Sequence, residues 1–329
     1  VTRLISLLDA SVRLDDLASG LSTHMQASGL ALPEDRHLID TVAIAARYGE
    51  LNAVLAAENG TAVGIVVWRL EGNTGYLRLL YVLPGTPDSV ARDLLACAMR
   101  GMRVRATGGI YGELPEVPPP VRDALVAQGF VGVQRFLMCA DLSTRDWTVA
   151  LPAGYALTAW DNARLDQAAQ VIYRANEGSL DALLIPELRS YESTRAIVRQ
   201  TLFGQYGDFD PQASGLVITA GDELVAVTLA TRRSGGEGFT AEICVSPDHR
   251  RRGLARALMH HTHGVFRAAG VVKGLLGVTA GNPARLLYES LSYREVGSVW
   301  TYIWPRPAGW EHLFSSGDKS LFGQSRPAC

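Results

Sequence analysis

Val245-Ser-Pro-Asp-His-Arg-Arg-Arg-Gly-Leu-Ala-Arg-Ala-Leu258 reads as the end of a strand, a basic loop and a helix that opens at Gly253. A helix N-terminus carries partial positive charge, so Arg250, Arg251, Arg252 and Arg256 crowded there are mildly unfavourable unless an anion joins them. Gly253 lets the backbone approach a ligand closely, and the first N–H groups from Leu254 and Ala255 onward have no acceptor inside the helix. Such a loop has the layout of a pyrophosphate cradle. A solvated basic turn is the competing reading of the arginines alone.

The flanking residues favour the cradle. The strand Thr240-Ala-Glu-Ile-Cys-Val-Ser-Pro247 precedes the spacing Arg250-x-x-Gly253-x-Ala255, and Asn282-Pro-Ala-Arg-Leu-Leu-Tyr-Glu-Ser-Leu-Ser-Tyr293 follows it. The two stretches, in this order, resemble the acyl-CoA-binding motif and the second motif of the GNAT acetyltransferase superfamily. The resemblance covers roughly residues 151 to 304 and, more weakly, most of the first half. Neither a Gly-Lys-Ser/Thr phosphate loop nor a Gly-x-Gly-x-x-Gly after a strand competes with it. It implies acetyl-CoA as co-substrate, with the phosphates on Arg250 to Arg256 and the pantetheine arm on backbone groups of Ile243, Cys244 and Val245. A backbone N–H of that strand would polarise the thioester oxygen. Asn282 reads as a helix cap, with a contact to the CoA arm secondary.

Composition narrows the class. The chain has 329 residues and a net charge of −2, enough length for two domains and no basic stripe for nucleic acid or a membrane surface. Its longest apolar stretches, such as Ala62 to Trp68, fall far short of the roughly 20 residues of a membrane span. Cys97, Cys139, Cys244 and Cys329 are scattered without metal-ligand or disulfide spacing, and the opening Val-Thr-Arg-Leu-Ile-Ser lacks the pattern of a signal peptide. The expectation is a soluble, cytoplasmic protein without a metal.

Turn residues expose a repeat. Asn59-Gly60 and Gly221-Asp222 both sit between apolar strands as hairpin turns, and Pro84 and Pro247 follow at the same distance from Asn59 and Asp222. An offset of 163 relates these positions and also carries Phe130 onto Tyr293. At that offset Arg250, Arg251, Gly253 and Ala255 fall on Pro87, Asp88, Val90 and Arg92, while Glu242 and Tyr288 fall on Leu79 and Leu125. The first copy keeps the apolar pattern and lacks the polar chemistry. With the family resemblance, this implies an α/β (α+β) fold of two tandem GNAT-like domains, each a mixed, mostly antiparallel twisted sheet flanked by helices. The expected division is a degenerate, non-catalytic domain at 1–145, an acetyltransferase domain at 150–305 and a tail at 306–329. Packing of the two halves could take the place of a homodimer, and the oligomeric state stays open. The second copy also holds about twelve extra residues before its hairpin, on the side that the resemblance assigns to the acceptor.

Transfer of an acetyl group to an alkyl ammonium needs a base, because that group has a pKa of about 10.4. Glu242 is the candidate base, acting through water, with an ordinary strand glutamate as the alternative. Tyr288 holds the family position of the acid that protonates the departing thiolate. Cys244 reads as a buried filler rather than a nucleophile. Glu177 and Asp181 lie in the enlarged region and could attract a cationic amine. His260, His261 and His263 lack a matching carboxylate for a metal, and Trp300, Tyr302 and Trp304 alternate as packing residues. The function expected is acetyl-CoA-dependent N-acetyl transfer to a primary amine of a small molecule or aminoacyl compound. A non-catalytic acyl-CoA-binding or regulatory protein is the alternative, and the tandem layout is also similar to that of mycothiol synthase.

Overall fold

The structure, a computed structural model, describes residues 2–9, 11–27, 38–106, 108–115 and 117–305. In chain order the elements are β1 (Arg3–Ser6), α1 (Asp15–Ala27), α2 (Leu38–Arg47), β2 (Asn52–Glu58), β3 (Thr61–Glu71), β4 (Thr74–Val82), α3 (Asp88–Arg103), β5 (Ile110–Pro115), α4 (Pro119–Ala127) and β6 (Val131–Asp141). The second half continues with β7 (Tyr155–Ala159), α5 (Leu165–Asn176), α6 (Leu180–Leu184), α7 (Tyr191–Leu202), β8 (Asp208–Phe209), β9 (Gly215–Thr219) and β10 (Leu224–Arg232). It closes with β11 (Gly238–Val245), α8 (Leu254–Ala268), β12 (Lys273–Thr279), α9 (Ala284–Ser290) and β13 (Arg294–Trp304).

Two compact units form, one ending at Arg135 and resuming at Gly297, the other running from Phe136 to Val296. The first carries the strand order β1-β2-β3-β4-β5-β13; in the second it is β6-β12-β11-β10-β9-β7, with β8 on β10. The pairings β1–β2, β2–β3, β3–β4 and β5–β13 in the first unit, and β7–β9, β9–β10 and β10–β11 in the second, are antiparallel. Those of β4–β5 and β11–β12, where a helical crossover returns the chain, are parallel. Each crossover helix buries one face. In α3 the buried positions Val90, Ala91, Leu94, Leu95, Ala98, Met99 and Met102 recur at helical spacing, as do Leu254, Ala257, Leu258, Met259, Thr262, His263 and Phe266 in α8.

The domain limits read from the sequence follow chain order, and the compact units do not. Val299 to Trp304 of β13 pair with Pro115 to Ile110 of β5, and Trp300 and Tyr302 pack in the first unit's core. Met138, Ala140 and Leu142 pack in the core of the second unit, where the Leu142 N–H donates to the Val272 carbonyl at 2.7 Å. The tail expected at 306–329 lies outside the described residues.

The repeat is visible in strand register. Gly64 faces Val82 and Ala226 faces Val245, so β4 maps onto β11 at the expected offset while β3 maps onto β10 one residue short of it. The connections after β3 and β10 hold the slip, since Arg69 lies seven positions before its partner Tyr76 and Thr231 eight before its partner Phe239. The preceding hairpins differ too. Asn59 and Gly60 form a two-residue turn with both φ angles positive, 51° and 76°, whereas β9 and β10 are joined by residues 220–223, in which Asp222 alone has positive φ. Both units share one irregularity. Val67 faces Leu79 and Trp68 faces Leu77, leaving Arg78 as an extra residue; Leu229 faces Glu242 and Ala230 faces Thr240, leaving Ala241. A β-bulge therefore stands next to Leu79 in one unit and next to Glu242 in the other.

Candidate active site

The site in the second unit begins where β11 and β12 part. These strands pair only from Gly238 to Thr240 on β11, so residues from Ala241 to Val245 have no ladder partner on that side. The Ser246 N–H donates to Val225 of β10 at 2.8 Å, and alternation along the strand turns the backbone groups of Cys244 and Glu242 toward β10 as well. Ile243 and Val245 then direct their backbone groups into the gap. Of the three residues read as holding an acyl arm, Ile243 and Val245 offer backbone partners there and Cys244 offers none.

The loop after β11 turns twice through left-handed conformations, with φ of 58° at Arg251 and 81° at Gly253. Gly253 is the cap residue of α8, and a Cβ there would meet nothing within 4 Å, so glycine is required by the backbone angle rather than by crowding. The first helical hydrogen bond runs from the Ala257 N–H to the Gly253 carbonyl at 3.0 Å. The N–H groups of Leu254, Ala255 and Arg256 therefore point out of the helix with no backbone acceptor among the described residues. Together with the exposed Arg251 they present a cluster of free donors, an arrangement able to receive an anion.

The other arginines divide their work. Arg250 donates from Nε to the Val245 carbonyl at 3.3 Å and from its terminal nitrogen to the Ala175 carbonyl at 2.7 Å, tying the loop to the end of α5. Arg252 donates to the Tyr155 hydroxyl at 2.8 Å and to the Asp248 carbonyl at 3.1 Å, and Tyr155 also meets His249 Nδ1 at 2.9 Å. Arg256 reaches Ser290 Oγ at 2.9 Å, joining α8 to α9. Arg250 thus builds the loop as much as it charges it.

Glu242 and Cys244 share one face of β11, and the Cys244 thiol donates to Glu242 Oε1 at 3.2 Å. Asn176, buried at the end of α5, donates to the Cys244 sulfur at 3.5 Å. Burial first, then the Glu242 carboxylate, push the thiol well above its usual pKa. A thiol held protonated is a poor nucleophile, and Cys244 is structural. Tyr288 of α9 is buried, and its pKa is raised by burial first and then by Glu242, Cys244 and Asp181. It stays a neutral phenol with a proton to give.

Asp181 of α6 accepts from the Thr279 hydroxyl and, at 2.8 Å, from the Asn282 amide. The Asn282 side-chain oxygen in turn accepts from the Ala284 N–H at 2.9 Å, capping α9. Asp181 and Asn282 are therefore spent on fastening α6 to the turn before α9. Of the two acidic residues read as acceptor contacts, Glu177 is exposed, at the end of α5. The histidines of α8 have structural partners: His260 meets the Thr148 carbonyl at 2.7 Å, His261 the Gln212 carbonyl at 2.9 Å and His263 the Tyr293 hydroxyl at 2.7 Å.

Sequence reasoning missed Tyr155, Asn176 and Thr279. Each acts across a long sequence separation and carries no local motif.

Residues 211–295 match the model of the acetyltransferase (GNAT) domain. The [ribosomal protein bS18]-alanine N-acetyltransferase of Salmonella typhimurium is 37% identical over 97 residues, 29% of this chain, and the chain spans 63% of that enzyme's length. Among solved structures, a GCN5-related N-acetyltransferase from Sphaerobacter thermophilus is similar with a TM-score of 0.67 at 17% identity, covering 93% of this chain and 96% of its own. A tandem GNAT protein from the clavulanic acid biosynthesis pathway gives 0.58 at 16% identity over 94% and 100% of the two chains.

Proposed function

We propose that the chain is a member of the GNAT superfamily, on the match of residues 211–295 to its acetyltransferase domain, and that its second unit is an acetyl-CoA-dependent N-acetyltransferase. The single observation that carries this reading is the parting of β11 from β12, which opens backbone groups beside the anion-binding loop at one end and beside Glu242 and Tyr288 at the other. The N–H groups at the start of α8, with Arg251 and Arg252, would hold the phosphates. The exposed backbone of Ile243 and Val245 would hold the pantetheine arm. When bound, acetyl-CoA supplies an acetyl thioester. Glu242 takes a proton from the acceptor ammonium through water, and Tyr288 keeps its own proton for the departing sulfur.

The acceptor class is the amine of an aminoacyl group, in a small molecule or at a chain end. The Salmonella relative is named for acetylating an alanine of a ribosomal protein, which supports an α-amine and leaves both sizes of acceptor in view. The first unit is read as a non-catalytic partner. Residues 88–90, which match the loop residues 251–253, are helical there, Pro87 stands at the helix cap, and Leu79 and Leu125 replace Glu242 and Tyr288.

The test is calorimetric titration with acetyl-CoA followed by thiol release across aminoacyl amides and short peptides. One site per chain is expected, with Tyr288→Phe lowering kcat by about 10²- to 10³-fold and leaving the acetyl-CoA affinity unchanged. Absence of acetyl-CoA binding would overturn the reading, and an unchanged kcat in the variant would remove Tyr288 from it.

A further inference from the structure

The first unit contains a cavity of about 550 Å3, within the range of small-molecule sites. Met25 of α1 and Leu38 and Val42 of α2 form one wall, and Val67, Arg78 and Leu79 of the sheet form the other. Arg78 is the bulge residue of β4, and Leu79 follows it. Their counterparts in the second unit are Ala241 and Glu242, so the cavity lies over the same irregularity of the sheet that presents the candidate base.

What differs is charge. The bulge has gained a cation and the next position has lost a carboxylate. Four charged residues line the cavity besides its apolar walls: Arg69, Arg78, Glu113 and Glu50. Arg69 is paired with Glu71 at 2.7 Å and Glu113 with Arg135 at 2.9 Å, while Glu50 is exposed at the rim. Arg78 has no ion pair among the described residues. It is exposed, and its guanidinium lies over the Tyr76 ring, 5.9 Å from the centroid. Partial desolvation first, then the neighbouring Arg69, lower its pKa, while Glu71, Glu113 and Tyr76 act against that, so the end of the fork stays open to a further acceptor. A β-bulge re-aims one side chain out of the pleat, and here that side chain is a guanidinium with a fork of donors suited to a carboxylate.

We propose that this cavity binds a small organic monoanion, an apolar body seated between α2 and the sheet with its carboxylate on Arg78. The first unit is then a ligand-binding domain built on a site from which the proton chemistry is absent. This inference does not depend on turnover or acetyl-CoA binding in the second unit.

Titration of the full chain with 4-phenylbutyrate, its neutral amide and 4-phenylbutylamine tests it. One equivalent of the carboxylate is expected to bind, at least tenfold tighter than the amide and the amine, and Arg78→Met is expected to weaken the carboxylate at least tenfold without lowering the melting temperature. Leu79→Trp, which fills the cavity, is a second variant should Arg78→Met fold poorly, and it is expected to abolish binding. Equal binding of carboxylate and amide, tighter binding of the amine, an unaffected Arg78→Met and Leu79→Trp, or no binding of any of the three would each overturn the proposal.

Discussion

His263 carries a strongly perturbed titration in the second unit, away from the candidate chemistry. It is wholly buried, its ring stands edge-on to Trp147 at 4.4 Å, and Nδ1 has no partner among the described residues. Burial, then the charges of His260 and Arg145, bring its pKa down to about 3, against about 6.5 in an unfolded chain. Between these values the unfolded chain binds a proton that the folded one excludes. The stability that neutral His263 contributes is complete above about pH 6.5 and is lost as pH falls through that window, with a slope of up to about 1.4 kcal/mol per pH unit. Urea denaturation at pH 7, 6 and 5 is expected to show that decline, and His263→Gln to flatten it. A wild-type profile retained in the variant would place the titrating group elsewhere. Residues of this kind define what the sequence hides. Glu242 and Tyr288 could be picked out because each sits in a local run of motif residues. The partners that fix Arg252, Cys244 and Asn282 lie 97, 68 and 101 residues away, and no spacing along the chain announces them. Asp181 shows the consequence: its acidity suggested an acceptor contact, while tertiary packing spends it on Thr279 and Asn282.

Elements were easier to read than contacts. Helices α5 and α8 are legible in the sequence because apolar residues recur along each at helical spacing. Residues 186–202 divide into a turn of 3-10 helix at Pro186–Leu188 and α7, a break that no apolar period marks. Ser190 makes the break, its side chain accepting from the Ser193 N–H at 3.2 Å. The five-residue α6 is too short to show a period of its own. The decisive element-scale contrast is between the two crossover helices. Residues 88–90 extend α3 by a turn at its start, while 251–253 hold two left-handed residues and α8 begins after them. Gly253→Ala tests what that loop costs and what it supports. A Cβ at φ of 81° has room but the wrong backbone, so a stability loss of about 1–2 kcal/mol is expected, with acetyl-CoA affinity weakened in the same variant. Melting and calorimetry on one preparation measure both. If neither changed, the left-handed cap would not be a requirement of the site.

At the scale of the molecule, the repeat was legible and the partition was not, since an offset between two halves says nothing about which strand completes which sheet. The core of the second unit draws Met138, Ala140, Leu142 and Trp147 from the stretch before residue 150 and packs them with Met259, Phe266, Leu276 and Tyr293. Trp147 also donates from its indole nitrogen to the Leu142 carbonyl at 2.9 Å, so the segment is held by its own polar contact as well as by burial. A fragment covering 150–305, the domain as chain order suggests it, loses all four side chains. Burial of each large apolar side chain contributes about 1.5–3 kcal/mol, and the larger of these losses together reach the 5–15 kcal/mol that separates a folded domain from an unfolded one. That fragment also carries Trp300 and Tyr302, whose packing partners belong to the first unit, as exposed apolar surface. The fragment 136–296 keeps the four core residues and omits the foreign strand. It is expected to melt in one cooperative transition and to titrate with acetyl-CoA as the full chain does, while 150–305 is expected to show neither. A cooperative melt for 150–305 at the temperature of 136–296 would mean that the second unit's core does not need β6, and the partition would then follow chain order after all.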